Sequence, residues 1–294
     1  MFMYDLCCIG HITHDKIVTP GHTVHMAGGT SFYFSHAVKH LPLHYHLVTA
    51  LAPADFVFTE SLKVSGIDTT ILPSKHTVYF ENIYADDSDN RVQNVLYKAD
   101  PFSVLNLPPV QSTYFHLGPL LAHDIPTALI VDLSTRGIVS LDVQGYLREV
   151  INQKVVAIDW KDKQKALPYI SVLKASETEA ITLTGDTNME TAARRLFDWG
   201  VKEVIITSGS KGSLIYDGKD LHAIPAYKPT ITKDATGCGD TYMAGYLYQR
   251  IKGAAIHYAG SFGAAMATIK IAASGPFNDT EAAIENIITT NNTL

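Results

Sequence analysis

Short apolar runs bounded by turn residues alternate along this chain with segments of helical hydrophobic spacing. The runs at 5–9, 46–50, 69–72, 113–117, 155–159, 172–175 and 204–208 are too short for helices and carry β-branched or aromatic residues, so they predict strands. Segments 30–40, 124–133, 177–184, 189–199, 239–251, 254–273 and 280–289 predict helices. Alternation of this kind favours a mostly parallel sheet covered by helices on both faces. Two stretches break the rhythm. Residues 13–26 and 77–99 hold strand-like residues with no helix between them, and the second folds back at a polar turn, Asp86–Asn90. They predict a small β-sheet standing off the main domain. The expected division is an α/β domain of residues 1–12, 27–76 and 99–294, with a β appendage of 13–26 and 77–98.

Composition narrows the class. A chain of 294 residues, 46% hydrophobic and 18% charged, can bury a large core. A net charge of −6 without any Lys/Arg cluster argues against a nucleic-acid surface. Cys7 and Cys8 are adjacent and Cys238 lies far away, so no disulfide framework is expected and a cytoplasmic setting is. The N-terminal run carries Asp5 and no basic leader, which reads as a first strand rather than a signal peptide. Segment 254–273 contains His257 and Lys270 among Ala and Gly, the pattern of a core helix and not of a membrane span. His36 and His40 stand one helical turn apart. Without a third converging ligand they predict surface histidines rather than zinc.

The chemistry concentrates at Asp234-Ala-Thr-Gly-Cys-Gly-Asp240, which opens directly into the helical segment from Thr241. Glycines let a backbone approach an anion, and a helix's first turn offers unpaired N–H groups and the positive end of its dipole. Asp240 stands where a carboxylate can take a proton from a hydroxyl brought to that anion, as phosphoryl transfer requires. The bland account is a glycine-rich turn with a capping acid. The chain lacks a Gly-x-x-x-x-Gly-Lys-Ser/Thr loop, which excludes an ordinary P-loop enzyme.

This heptad resembles the C-terminal signature of the ribokinase-like (PfkB-type) carbohydrate kinases, Asp-Thr-x-Gly-Ala-Gly-Asp, with Ala235 for threonine and Cys238 for alanine. The resemblance implies a ribokinase-like three-layer α/β/α fold whose small sheet is a lid over the substrate, shared in some members across a homodimer. It implies ATP and Mg2+, an anion hole over Gly237, Cys238, Gly239 and Asp240, and Asp240 as catalytic base. Thr207-Ser-Gly-Ser-Lys-Gly212 is similar to the family's Thr-x-Gly-x-x-Gly, so Thr207, Gly209 and Gly212, with Thr236 and Gly237, would line the nucleotide. A structural turn accounts for that segment equally well. Lys174-Ala-Ser-Glu-Thr-Glu179 is similar to Lys-Pro-Asn-x-x-Glu, which would make Glu179 a magnesium partner through water, with Ser176 in place of asparagine. The same residues also form a helix capping box.

On the acceptor side, Gly10-His-Ile-Thr-His-Asp15 places Asp15 to bind hydroxyls. Gly28-Gly29 precedes a helix, with Tyr33 where the family commonly has asparagine. Asp142, Gln144 and Arg148 follow an apolar stretch and suit the ligand edge of an open sheet. Ser274–Asn278 resembles the segment that, in some members, binds a monovalent cation. The expected activity is ATP-dependent phosphorylation of a hydroxyl on a sugar or polyol. A nucleoside kinase of the same fold, and a binding protein that has lost the chemistry, are the alternatives. Small molecules are the expected partners, with neither nucleic acid nor membrane.

Overall fold

The computed structural model describes residues 3–84 and 91–291, and the expected turn Asp86–Asn90 lies outside the described residues. Among these residues the larger sheet has nine strands. Their spatial order is Leu221–Ile224, Ser213–Tyr216, Glu203–Thr207, Val172–Ser176, Ile138–Asp142, Ser112–Gly118, Tyr4–Gly10, Tyr45–Leu51 and Asp68–Pro73. Pairing is parallel throughout except where Ser213–Tyr216 meets its two neighbours. Side chains alternate across the pleat, so Leu6 and Cys8 enter one core while Cys7 and Ile9 enter the other. Helices Thr30–Val38, Cys238–Ile251 and Ile256–Ile271 supply Phe34, Met243 and Phe262 to the first core. Thr127–Ser134, Glu177–Thr184 and Met189–Asp198 supply Leu133, Leu183 and Leu196 to the second. The result is three layers.

The second sheet has six described strands, in the order Arg148–Ile151, Lys154–Ala157, Arg91–Tyr97, Val78–Tyr84, Thr13–Thr19 and His22–Gly28. Three of them lie within the two stretches that broke the sequence rhythm, and a fourth, His22–Gly28, runs two residues past the first stretch. The other two are a difference from expectation. The run at 155–159 does not enter the main sheet. It pairs back on Arg148–Ile151 through Asn152 and Gln153, whose φ values of 50° and 64° make the tight hairpin that two left-handed residues allow. Val150 and Val155 then pack on a small core of Val78, Phe80 and Val95. The place in the main sheet goes instead to Ile138–Asp142, whose apolar run is shorter.

The histidine expectation also needs correction. His36 is buried against the Phe32 ring at 4.4 Å, and burial, with Lys39 and His40 nearby, pushes its imidazole down to about 4. It is a neutral core residue. Among the described residues no group of three His, Cys, Asp or Glu side chains is placed to hold a metal. None of the described helices is long and apolar enough to cross a membrane.

Candidate active site

Two cavities open along the carboxyl edge of the main sheet, the usual ligand edge of this architecture. The larger, about 850 Å³, lies between that edge and the lid. Asp15, Phe80, Asn82, Gln93 and Arg148 face it from the smaller sheet, and Tyr33, Lys174 and Asp240 face it from the main domain. The other, about 610 Å³, is walled by Thr207, Gly209, Gly212, Tyr227, Ala264 and Thr268. Ala235 and Gly239 line both, so the cavities meet at the glycine-rich turn.

That turn is built by Gly237. Its φ of 77° is left-handed, and a Cβ there would overlap the ring of Tyr33. Tyr33 lines the larger cavity, is only 3% exposed, and sets its ring against this glycine. The following helix starts at Cys238. Here the structure corrects one expectation: the Cys238 amide donates to the Ala235 carbonyl at 3.2 Å and is not available to an anion. The amides of Gly237, Gly239 and Asp240 have no protein acceptor among the described residues and lie at the positive end of the helix. Cys238 lines the 610 Å³ cavity instead, and burial pushes its thiol up to about 11, so it is a neutral filler.

Asp240 sits at the floor of the larger cavity. Enclosure and the nearby Asp142 carboxylate push its pKa up to about 7, against the opposing pull of Lys174, a Thr30 hydroxyl that donates to it, and Arg148. Asp142 and Lys174 form a buried ion pair at 2.9 Å. Burial opposes both charges. The pair nonetheless holds Asp142 below the usual carboxylate range, and Asp142, Glu179 and Asp240 together hold the ammonium above its own. A Cβ on Gly239 would lie 3.1 Å from the Lys174 Nζ, so this cation sits directly beneath the turn. A carboxylate poised near neutrality, free amides and a buried ammonium can together receive a proton and hold an anion.

The remaining candidates divide. Asp15 and Gly29 line the larger cavity, whereas Gly28 stands behind Asp15 and leaves room for its carboxylate. Thr207, Gly209 and Gly212 come together in the smaller cavity, while Thr236 lies on the larger one. Gly212 also has a structural duty, because its φ is 96° and a Cβ would overlap the Ile224 carbonyl. Glu179 lines neither cavity. Its Oε2 accepts from the Ser176 amide at 2.7 Å in a complete capping box, and its charge reaches the site through Lys174. Glu179 is therefore not placed to coordinate a metal directly in either cavity. Lys174, Asn82 and Gln93 were not singled out by sequence reasoning. For Lys174 the available signal was a lysine at a strand end just before a capping box.

A lidded, mostly parallel α/β sheet with a glycine-rich helix start and an acid between two cavities defines a kinase of the ribokinase fold. The family follows from the sequence as a whole: the chain belongs to the pfkB family carbohydrate kinases, whose model matches residues 5–283. It is 28% identical over 255 residues to a cytidine kinase of Thermococcus kodakarensis, covering 83% of this chain and 88% of that protein. It is 23% identical to an inositol 3-kinase of Arabidopsis thaliana, covering 90% of this chain and 72% of that one. Among solved structures, a pyrophosphate-dependent kinase in the ribokinase family, complexed with a pyrophosphate analog and myo-inositol, matches at a TM-score of 0.85. It is 27% identical, and the match covers 96% of this chain and 99% of that chain.

Proposed function

We propose that this kinase transfers the γ-phosphoryl group of ATP to a hydroxyl of a sugar or polyol. The observation that carries the reading is the meeting of the two cavities at Gly239, with Asp240 on one side and unengaged amides between them. The acceptor lies in the larger cavity, where the Asp15 carboxylate accepts hydrogen bonds from its hydroxyls. Asp240, ionised above about 7, takes the proton of the attacking hydroxyl. The amides of Gly237, Gly239 and Asp240, with Lys174 beneath them, hold the negative charge on the transferring group. Magnesium, when bound with the donor, neutralises charge on its phosphates, and Glu179 would steady it through water.

ATP is favoured over pyrophosphate as donor by the 610 Å³ cavity, which is of the size that holds a nucleoside. Pyrophosphate would leave it empty. A second reading, a nucleoside acceptor, is supported by the apolar lid wall of Ile17, Val24, Met26 and Phe80 and by similarity to a cytidine kinase. Pairing of two copies through the lid edge His22–Gly28, which among the described residues has a strand neighbour on one side only, and a cytoplasmic location complete the reading.

The test is product release from ATP or pyrophosphate with magnesium, against ketoses, aldoses, inositols and nucleosides. One acceptor should stimulate ATP turnover in the wild type. Asp240→Asn should lower that rate by about 10³- to 10⁴-fold while acceptor and MgADP still raise the melting temperature. Near-normal turnover in the variant would rule out Asp240 as base, and stimulation by pyrophosphate alone would overturn the ATP assignment.

A further inference from the structure

Resemblance to cation-binding members predicts a monovalent ion near Ser274–Asn278. The oxygens at that spot do not fit a free ion, because a side chain already fills them. Lys270, in the last turn of Ile256–Ile271, is 1% exposed. A lysine at a helix end ordinarily extends to water while complementing the dipole. Lys270 instead turns inward, and its ammonium donates to the Asp234 carbonyl at 2.9 Å, the Ala273 carbonyl at 3.3 Å and the Asp234 Oδ2 at 3.4 Å. An ammonium has three donors, and here three acceptors meet it.

Those acceptors join two segments that line the acceptor cavity. Asp234 begins the glycine-rich turn, and its Oδ1 accepts from the Thr236 amide at 2.9 Å. Ala273 precedes Ser274 and Gly275, which line the same cavity. The amides of Lys233 and Asp234 also donate to the Ile271 carbonyl, so the turn is fastened to the helix end at several points. The Asp234 carboxyl is held below the usual range despite burial, by Thr236 and by Lys270.

We infer that Lys270 is a built-in monovalent cation: its ammonium pins the anion turn, so that turnover and donor binding do not depend on potassium. Lys270 touches neither donor nor acceptor and acts through Asp234, as a positioning residue. The inference rests on the reading of that turn as the donor-phosphate site.

The experiment titrates MgADP, and separately magnesium pyrophosphate, into the full chain by calorimetry in tetramethylammonium chloride, then at equal ionic strength in potassium or ammonium chloride. Turnover is followed on the acceptor that the panel identifies. Wild-type Kd and kcat should change by less than about twofold among the salts. Lys270→Ala should bind at least about tenfold more weakly in tetramethylammonium and recover in potassium or ammonium, which fit the vacated space. Strong potassium activation of the wild type would overturn the inference, and that arm needs no variant to fold. Full function of Lys270→Ala without small cations, or a folded Lys270→Ala that no cation rescues, would overturn it as well. If the wild type binds neither donor in any salt, the reading of the turn itself falls.

Discussion

The two cavities meet at one glycine but are made of different material. The smaller cavity, the proposed donor side, is walled mainly by small residues and backbone, Gly209, Gly212, Ala264 and Ala267 among them, all from the last third of the main domain. The larger cavity, the proposed acceptor side, is walled by carboxylates, amides and cations gathered from the lid, strand ends and the turn. The contrast follows from the tasks. A phosphate chain is held by backbone N–H groups at close approach, which small residues permit. An acceptor must be told from its isomers, which takes specific hydrogen-bonding side chains against an apolar wall.

Asp142 pairs with the ammonium that lies beneath the turn where the two cavities meet, and changing it gives the largest expected effect. Asp142→Asn leaves the buried Lys174 ammonium without its 2.9 Å partner and should cost about 3–5 kcal/mol in denaturant unfolding. It also removes the carboxylate that pushes Asp240 upward while leaving Lys174 to pull it down. As the proposed base, Asp240 has to be ionised, so wild-type kcat/KM should fall about tenfold per pH unit below the value of about 7. In Asp142→Asn this limb should move to lower pH. A limb that stays in place or moves upward would show that Asp240 is not the titrating base.

The same contrast explains what could be read from the sequence. The turn and the smaller cavity's main segment are local: Asp234–Asp240 carries its glycines, acids and helix start within a few residues, and Thr207–Gly212 its threonine and two glycines. The acceptor side depends on pairing. Asn82 and Gln93 meet only because Val78–Tyr84 and Arg91–Tyr97 are in register, and no one-dimensional pattern distinguishes their cavity face from the outer one. The run 155–159 reads as a main-sheet strand because Val155-Val-Ala-Ile has the composition of a core strand, yet it pairs into the second sheet. Its positive-φ turn at Asn152-Gln153 carries no glycine to announce it. The inward turn of Lys270 is not legible in its Ala-rich helix, since its partners lie 36 residues upstream and just past the helix end.

On the donor side, Ala267→Leu places extra methyl groups in the cavity that would hold the nucleoside. The KM for ATP should rise by about tenfold or more, with the acceptor KM unchanged. Any residual turnover with pyrophosphate should be indifferent to the change. An unchanged KM for ATP would mean that the nucleoside does not occupy this cavity, and the size argument for ATP would lose its basis.

On the acceptor side the effect should be smaller and of a different kind. Gln93 Nε2 donates to Asn82 Oδ1 at 3.0 Å, and Asn82 is only 5% exposed. The bond fixes the Asn82 amide, so its NH₂ group points to a defined place in the cavity. Gln93→Ala should therefore cost only about 1 kcal/mol of stability, the worth of one hydrogen bond. It should raise the KM of the preferred acceptor by about threefold and narrow its advantage over stereoisomers, because a freed amide can turn to meet a wrongly placed hydroxyl. The KM for ATP should not move. If it shifted with the acceptor ranking unchanged, the lid would be acting on closure as a whole, and the division between an invariant donor side and a discriminating acceptor side would not hold.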